Sequence, residues 1–339
     1  MNQTYLYRSE ILFLYDIFRC NPNGDPFENR PRVDPATGRI DVTDVRLKRT
    51  IRDYILNYKH KAGENDGLDI FVRTTGDEAV TAERRYEELF KSLPQAGAIE
   101  EAKKNLIKRC IDVRLFGALV PITKKEKKAG KEIGEKTEEG EDREKGEEKG
   151  AGIQITGAVQ FNPGQSLHAA EVFEIAGTGG FASKEKAKQR TFRREFIVPY
   201  ALIGFYGVIN ENLAKYSGLT QTDVNILMDS MWQGTLALHS RSKSFHHPRL
   251  LVRLDYKDQR QCGFFLDKLR IHLKEVKDEK AIRSLRDYTL EIGDWLTALA
   301  RKKGFINNIY SLIDPEIPLA KDGSPIDSVK LQQALNALI

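Results

Sequence analysis

Closely spaced cations form the first group of residues in this sequence that could do chemistry. A helix is predicted to start at Thr43, and its first turns carry Arg46, Lys48, Arg49 and Arg52. Four positive charges near a helix amino terminus oppose the helix dipole, so a bound anion would stabilise them. The spacing therefore predicts contacts to phosphate groups, with a solvent-exposed charged helix face as the alternative.

Two further polar segments could contribute to the same kind of site. Residues 21–26 (NPNGDP) form a dense turn cluster, where Asn21 and Asn23 supply amides and Gly24 permits close approach of a ligand; an ordinary turn is the alternative. Residues 240–247 (SRSKSFHH) place Arg241 and Lys243 beside an aromatic ring and His246, a mixture suited to stacking a base and holding phosphates. A basic connecting loop and, less favoured, a metal site at the paired histidines are the alternatives.

A third basic stretch, residues 184–194, lies between two predicted strands and includes Arg190 and Arg193. It indicates a projecting basic hairpin. The preceding residues 177–182 (GTGGFA) formally match a dinucleotide-binding glycine pattern, but the spacing of a βαβ unit does not follow. A glycine-rich hairpin tip is the interpretation we prefer, and a nucleotide-cofactor enzyme is the alternative.

Acidic residues near the first turn raise the alternative of phosphodiester cleavage. Asp25, Asp34, Asp41 and Asp44 are close in sequence, and such clusters can bind Mg²⁺. Asp34 is also suited to shaping its own turn and Asp44 to starting a helix. Walker-type, HExxH, GxSxG and complete RNP1 motifs are absent, so we expect no cofactor and no metal, and cleavage by these aspartates is the less favoured alternative.

Hydrophobic periodicity predicts an α+β fold. Alternating apolar residues over 11–17 indicate a strand, and helical spacing over 43–58 indicates a helix with a buried stripe. Further expected elements are a strand over 70–73, a helix over 99–114 and a helix over 223–238 capped by Thr222. The order of elements fits a ferredoxin-like core with insertions. Residues 124–149, rich in both charges, are predicted to be a disordered surface loop.

Composition limits the class of protein. The chain has 339 residues, a formal net charge of +5 and three widely separated cysteines. The weak positive charge is consistent with nucleic-acid binding without requiring it. No apolar run is long enough for a membrane span and no signal-peptide pattern begins the chain, so we expect a cytoplasmic protein without membrane contacts.

Specific motifs add a resemblance to a known family. Residues 21–26 (NPNGDP), 31–34 (PRVD) and 42–54 (VTDVRLKRTIRDY) resemble the start of the backbone subunit of type I CRISPR Cascade complexes, with the I-B branch fitting best. Residues 114–118, 155–162 and 196–200 resemble its later blocks. The charged segment 124–149 departs from the family pattern.

The resemblance implies a single RRM-like palm over residues 1–339, a helical finger-like insertion over 60–120 and a thumb hairpin over 170–192. It implies a non-catalytic subunit that polymerises head-to-tail along a guide crRNA, contacts other Cascade subunits and meets a target DNA strand through base pairing. Related subunits in type III complexes cut RNA with a loop aspartate, which keeps the Mg²⁺-dependent ribonuclease as the alternative. The predicted RNA contacts are Asn21, Asn23, Arg46, Lys48, Arg49, Arg52, Gln160, Asn162, Arg190, Arg193, Arg241, Lys243 and His246.

Overall fold

Strands and helices alternate along the chain in a mixed α/β fold. The structure is a computed structural model that describes residues 3–61, 63–74, 80–122, 152–178, 192–259, 263 and 265–339. Its strands are β1 (Arg8–Cys20), β2 (Arg32–Val33), β3 (Arg39–Val42), β4 (Gly117–Val120), β5 (Ile153–Thr156), β6 (Val159–Phe161), β7 (Gly164–Ala169), β8 (Phe173–Thr178), β9 (Phe192–Ile209), β10 (His246–Tyr256), β11 (Arg270–Leu273), β12 (Tyr288–Glu291), β13 (Ile306–Ile313), β14 (Leu319–Lys321) and β15 (Ser324–Ile326). Its helices are α1 (Asp44–Tyr54), α2 (Ala82–Phe90), α3 (Ile99–Arg109), α4 (Ile111–Phe116), α5 (Glu211–Ser217), α6 (Gln221–Leu236), α7 (Gly293–Ala300) and α8 (Ser328–Asn336).

The largest sheet has the strand order β13-β10-β1-β9-β7-β3-β2, and β6 and β8 also pair with β9. Every pairing in this sheet is antiparallel. β1 lies near its middle, between β10 and β9. The last residues of β1 therefore pair with the first residues of β10. As a result, the loop after β1 lies next to the loop before β10.

One face of the large sheet packs against α1 and α6. The alternating residues Ile11, Phe13, Tyr15 and Ile17 share a core with apolar residues of both helices, as the sequence alternation predicts. Gly234 lets the helices approach closely, because a side-chain carbon there would lie 3.0 Å from Cβ of Tyr54. This packing fixes the position of the cation-bearing helix α1 over the sheet.

The opposite face of the same sheet is also buried. Leu12 and Leu14 belong to a second core that includes Phe265, Tyr288 and Trp295 from the carboxyl-terminal part of the chain. That part carries its own four-stranded sheet, in the order β11-β12-β14-β15. Because both faces of β1 are covered, ligands can reach this region of the sheet only near the strand ends.

A third core lies beside the main body. It joins α2, α3 and α4 to the paired strands β4 and β5 through residues such as Phe71, Tyr86 and Leu106. The predicted strand over 70–73 is wrong, since residues 71–72 form a bend and the nearby bridge joins Asp69 to Cys110. The predicted helix over 99–114 is interrupted at Cys110, whose backbone is extended.

Two other expectations concern α6 and the charged insertion. The side chain of Thr220 caps α6, in a capping box with Asp223, so the predicted cap at Thr222 is wrong by two residues. Residues 124–149 lie outside the described residues. No helix in the described part of the chain is long and apolar enough to cross a membrane.

Candidate nucleic-acid interface

Three of the segments selected from the sequence meet at the carboxyl end of β1. The backbone N–H of Asn21 donates to the carbonyl of Ser242 at 2.8 Å, and that of Phe18 donates to Phe245 at 3.2 Å. The amide oxygen of Asn23 accepts from the backbone N–H of Thr43, which caps α1, at 2.8 Å. The loop after β1, the start of α1 and the loop before β10 therefore form one continuous surface.

Arg46 and Lys243 are the cations that this surface brings together. Both side chains are half-buried, and neither forms an ion pair with any acid in the described residues. The Arg46 guanidinium donates to Oγ1 of Thr50 at 2.9 Å. Burial and the neighbouring positive charge of Arg46 lower the pKa of Lys243. Two partly desolvated cations without an acidic partner favour an anion, so Arg46 and Lys243 are the candidate anion-binding pair of this surface.

His246 lies behind these cations and is buried. Its ring stacks on Tyr15, with centroids 5.7 Å apart, and its Nδ1 lies 3.8 Å from Sγ of Cys20. Burial, together with the charges of Arg46 and Lys243, lowers the pKa of His246 to about 3. His246 is therefore neutral at physiological pH and presents no charge to a ligand, and its predicted RNA contact remains a prediction.

The other cations of α1 have acidic partners within the chain. Lys48 pairs with Asp44 at 2.8 Å and Arg49 with Asp53 at 2.7 Å, each one helical turn away. Arg52 reaches the buried carboxylate of Asp112 at 2.9 Å. A phosphate would have to replace the aspartate as the partner of each cation. The predicted RNA contacts of Lys48, Arg49 and Arg52 therefore remain predictions.

The two asparagines of the first loop also have partners within the protein. The buried amide of Asn21 donates to the carbonyl of Asn29 at 2.6 Å, which closes the loop. The oxygen of Asn23 accepts from both N–H and Oγ1 of Thr43. Both side chains thus shape the loop and position α1, and direct RNA contacts by them remain predictions.

Gln160 and Asn162 lie far from this cluster. Gln160 is opposite Val208, which pairs with Glu10 near the start of β1, whereas His246 pairs with Ile17. The seven steps from Glu10 to Ile17 span about 23 Å of strand, at roughly 3.3 Å per residue. Both side chains are exposed. An RNA that contacts them as well as Arg46 would have to follow the length of the sheet.

Two of the remaining predicted contacts, Arg193 and Arg241, lie at the hairpin of β8 and β9. Arg193 pairs through its backbone with Gly177, and Arg190 lies outside the described residues. Arg241 is exposed and pairs with Glu195 of β9 at 2.9 Å. This ion pair ties the loop before β10 to the base of the hairpin.

Comparison with known proteins decides the family. The family model described as CRISPR-associated protein Cas7 matches residues 7–293. The chain belongs to the Cas7 family. A CRISPR-associated protein Cas7 from Haloferax volcanii is 29% identical over 326 residues, which cover 93% of this chain and 89% of the relative. The resemblance found in the sequence motifs is therefore confirmed.

Two solved structures are also similar. One, described as a CRISPR RNA-guided surveillance complex, pre-nicking, has a TM-score of 0.47 and 13% identity and covers 98% of this chain and 100% of its own. Another, described as a CRISPR RNA-guided surveillance complex, has a TM-score of 0.45 and 11% identity, with coverage of 97% and 99%.

The loop aspartates of this Cas7 chain bind their own backbone. The carboxylate of Asp25 accepts from the N–H groups of Phe27, Glu28 and Arg30 at 2.7, 2.8 and 3.1 Å, and these bonds hold its pKa below the usual range. The carboxylate of Asp34 accepts from the Thr37 hydroxyl at 2.6 Å and from the backbone N–H of Ala36 at 2.9 Å, and these bonds hold its pKa below the usual range as well. Both carboxylates stabilise turns, and a lowered pKa makes them weak bases.

The histidine pair does not form the metal site that its motif suggests, and most of the glycine string lies outside the described residues. Gly177 lies within β8, which pairs antiparallel with β9, and residues 179–182 are not described. His246 faces Cys20, whereas Nε2 of His247 lies 3.9 Å from Asp314 on the other side of the strand. Among the described residues, no group of three or more His, Cys, Asp or Glu side chains could hold a metal ion.

Sequence reasoning missed two residues at this surface, Arg19 and Phe18. Arg19 is exposed and forms no ion pair with a described residue, and Phe18 and Phe245 form an exposed edge-to-face pair. Arg19 and Phe245 have positive φ values of 47° and 63°. Such backbone conformations are costly for residues other than glycine and often occur at binding sites. The ring of Phe245 had already been selected from the sequence as a surface for stacking a base.

Proposed function

We propose that this Cas7 chain is a non-catalytic backbone subunit that binds the guide crRNA of a type I CRISPR surveillance complex. The observation that supports this most directly is the half-buried pair Arg46 and Lys243, which forms no ion pair with a described acid. Partly desolvated cations of this kind favour phosphate oxygens, which carry no sequence information. Such a surface suits a subunit that must hold guides of any sequence, while base pairing supplies specificity.

The palm of this subunit is proposed to be ferredoxin-like. The strand order β10-β1-β9-β7, with α1 after β1 and α6 after β9, is the order of a βαββαβ unit in which both helices cover one face. On this assignment, residues 60–120 are the finger-like insertion, supported by the separate core around Tyr86 and Leu106. Residues 170–192 are the thumb hairpin, whose described part is β8 and the start of β9.

The proposed assembly places copies of the chain head-to-tail along one guide, beside other Cascade subunits in the cytoplasm. Target DNA would be recognised by pairing with the guide rather than by side chains. Exposed polar residues at the far end of the sheet, Gln160 and Asn162, are suited to contact the guide several nucleotides away from Arg46. A heterologous contact of this kind extends along the RNA until another subunit ends it.

The test is the RNA that copurifies with the full chain from cells expressing a CRISPR array. We expect short RNAs of uniform length that share a repeat-derived end, and a strong loss of this RNA from the variant Arg46→Gln with Lys243→Gln. Random RNA fragments in the wild type would contradict guide binding. An RNA content unchanged by the two substitutions would contradict the assigned site.

A further inference from the structure

Four cations meet at the opposite end of the large sheet, beside the start of β1. The backbone N–H of Lys257, which follows β10, donates to the carbonyl of Phe305 at 2.9 Å, and its Nζ lies 3.4 Å from the carbonyl oxygen of Gly304. These contacts place Lys257 against the turn that follows α7, in which residues 301–303 (RKK) are all basic. We call Lys257, Arg301, Lys302 and Lys303 the far-end patch.

The far-end patch carries a positive charge that no ion pair neutralises in the part of the chain that the structure describes. Lys257, Arg301 and Lys303 are exposed and Lys302 is half-buried, and none of the four forms an ion pair with a described residue. Asp258 is the acid next to Lys257 in sequence, and with Asp258 included the patch still has a net charge of +3. Such a concentration of one sign of charge attracts anions.

Acids of the neighbouring elements already have cations of their own. Glu211 of α5 pairs with Arg8, the first residue of β1, at 2.6 Å. Asp255 of β10 is buried and pairs with Arg253 at 2.9 Å. These carboxylates therefore do not compensate the far-end patch.

The dipole of α7 explains only part of this arrangement. Cations near a helix carboxyl terminus interact favourably with its last carbonyl groups, and Arg301 and Lys302 directly follow α7. Lys257 belongs to the segment after β10 and is not part of that helix end. Its position beside residues 301–303 brings like charges together, which costs free energy that a bound anion would offset.

The far-end patch and the proposed phosphate site at Arg46 and Lys243 lie at opposite ends of β1. The end of β10 that precedes the patch pairs with Arg8, and the start of β10 pairs with Ile17. The nine steps from Arg8 to Ile17 span about 30 Å of strand, at roughly 3.3 Å per residue. At the rise of roughly 3.4 Å per nucleotide of a helical strand, about nine nucleotides would cover that distance.

We propose that the far-end patch binds phosphates of the same RNA strand whose other phosphates lie on Arg46 and Lys243. Gln160 and Asn162 lie at the same end of β1 as the patch, which favours an RNA that follows the sheet over an acidic protein surface as the occupant. Contacts to phosphates read no sequence, so the patch suits a subunit that holds guides of any sequence.

This inference rests on the proposed RNA binding and adds a second contact region to it. Residues 301–303 lie beyond the family match at residues 7–293, so the match does not assign this contact.

The test is the salt dependence of RNA affinity, measured by fluorescence anisotropy with the full chain and a labelled RNA of about 30 nucleotides, long enough to reach both ends of β1. We expect Lys257→Gln with Lys303→Gln to lower the slope of log affinity against log salt by about 1.4, at roughly 0.7 per single-strand phosphate contact. An unchanged slope would overturn the proposal.

Lys277→Gln with Lys330→Gln is the charge-matched control. Both lysines are exposed and form no ion pair with a described residue, but they lie outside the far-end patch. Their substitution should leave the slope at the value of the wild type, and a loss equal to that of Lys257→Gln with Lys303→Gln would overturn the assigned patch. Denaturant unfolding should show wild-type stability for both variants, because all four side chains are exposed.

Failure of the proposed function gives a different result. A slope that falls in Lys257→Gln with Lys303→Gln but not in Arg46→Gln with Lys243→Gln would contradict the first phosphate site and leave the far-end patch as an RNA contact. The reverse result would overturn the far-end patch alone, and it is the result expected if an acidic protein surface binds there instead.

Discussion

The cations around α1 fall into two groups that differ in what neutralises them. Lys48, Arg49 and Arg52 each pair with an aspartate of the same chain. Arg46 and Lys243 are half-buried and form no ion pair with a described acid. The first group stabilises the helix and its contacts, and the second group is available to an anion.

If the proposed anion site lies at Arg46 and Lys243, cation density alone does not locate it. All four cations of α1 lie within seven positions of one helix, yet only Arg46 lacks an acidic partner among the described residues. Two partly buried positive charges close together cost free energy that surface ion pairs do not, and a phosphate group offsets that cost. Substitutions within each group of cations test this difference.

The largest expected effect is on stability, at Arg52. Replacing Arg52 with Ala leaves the buried carboxylate of Asp112 without its cation, which should lower the free energy of unfolding by about 3 kcal/mol. Denaturant unfolding measures the loss. Arg49→Ala is the matched control, because its exposed pair with Asp53 should contribute less than about 0.5 kcal/mol. Equal losses in the two variants would remove the distinction between buried and exposed pairs on α1.

His246 should make stability depend on pH in the acidic range. Its pKa is about 3 in the folded protein and 6.5 as the ordinary value, so below pH 6.5 only the unfolded chain takes up the proton. The stabilisation is complete above pH 6.5, and about 3 kcal/mol of it is lost between pH 7 and pH 4.

In the variant His246→Leu the slope of the free energy of unfolding against pH should decrease in this range by the equivalent of about one bound proton. Denaturant unfolding at several pH values measures this slope. His239→Gln, at an exposed position in the same loop, is the control. A curve for His246→Leu that keeps the slope of the wild type would contradict the buried, neutral histidine.

Asn23 tests whether a loop residue predicted to contact RNA acts on the fold. Asn23→Ala removes the acceptor for N–H and Oγ1 of Thr43 and should lower the free energy of unfolding by about 1 kcal/mol. Asn23→Asp keeps an acceptor oxygen and should retain most of the stability. A weakened RNA affinity with unchanged stability in Asn23→Ala would instead support a direct contact.

The smallest effect is expected at the far end of the sheet. Gln160→Ala with Asn162→Ala should weaken RNA affinity by about threefold, because neutral hydrogen bonds to RNA contribute little net free energy. The dependence of affinity on salt should not change, since no counterions are released by neutral side chains. A reduced salt dependence in this variant would mean that the cations at the other end of β1 had been disturbed.

Local patterns in the sequence predicted the elements that carry the site. The alternation of Ile11, Phe13, Tyr15 and Ile17 gave the buried face of β1, and Thr43 is the cap of α1 as expected. The same kind of reasoning misplaced the cap of α6, because Thr220 and Thr222 both precede the helix and only Thr220 is spaced to form a box with Asp223.

Long-range pairing was beyond what the sequence could predict. Asp112, which neutralises Arg52, lies 60 residues further along the chain. The turn at 283–286 comes to Phe18 only through packing of the carboxyl-terminal part on the second face of the sheet. Tertiary contacts therefore decide which cations are neutralised by an acid of the same chain. Periodicity and motifs do not predict these contacts.

The most direct test of the account compares two charge-matched double variants by the salt dependence of RNA binding. Arg46→Gln with Lys243→Gln removes the two cations without acidic partners, and Lys48→Gln with Arg49→Gln removes two that have them. We predict that the first pair lowers the slope of log affinity against log salt by about 1.4, at roughly 0.7 per single-strand phosphate contact, and that the second leaves it nearly unchanged. Equal losses of slope in the two variants would contradict the account.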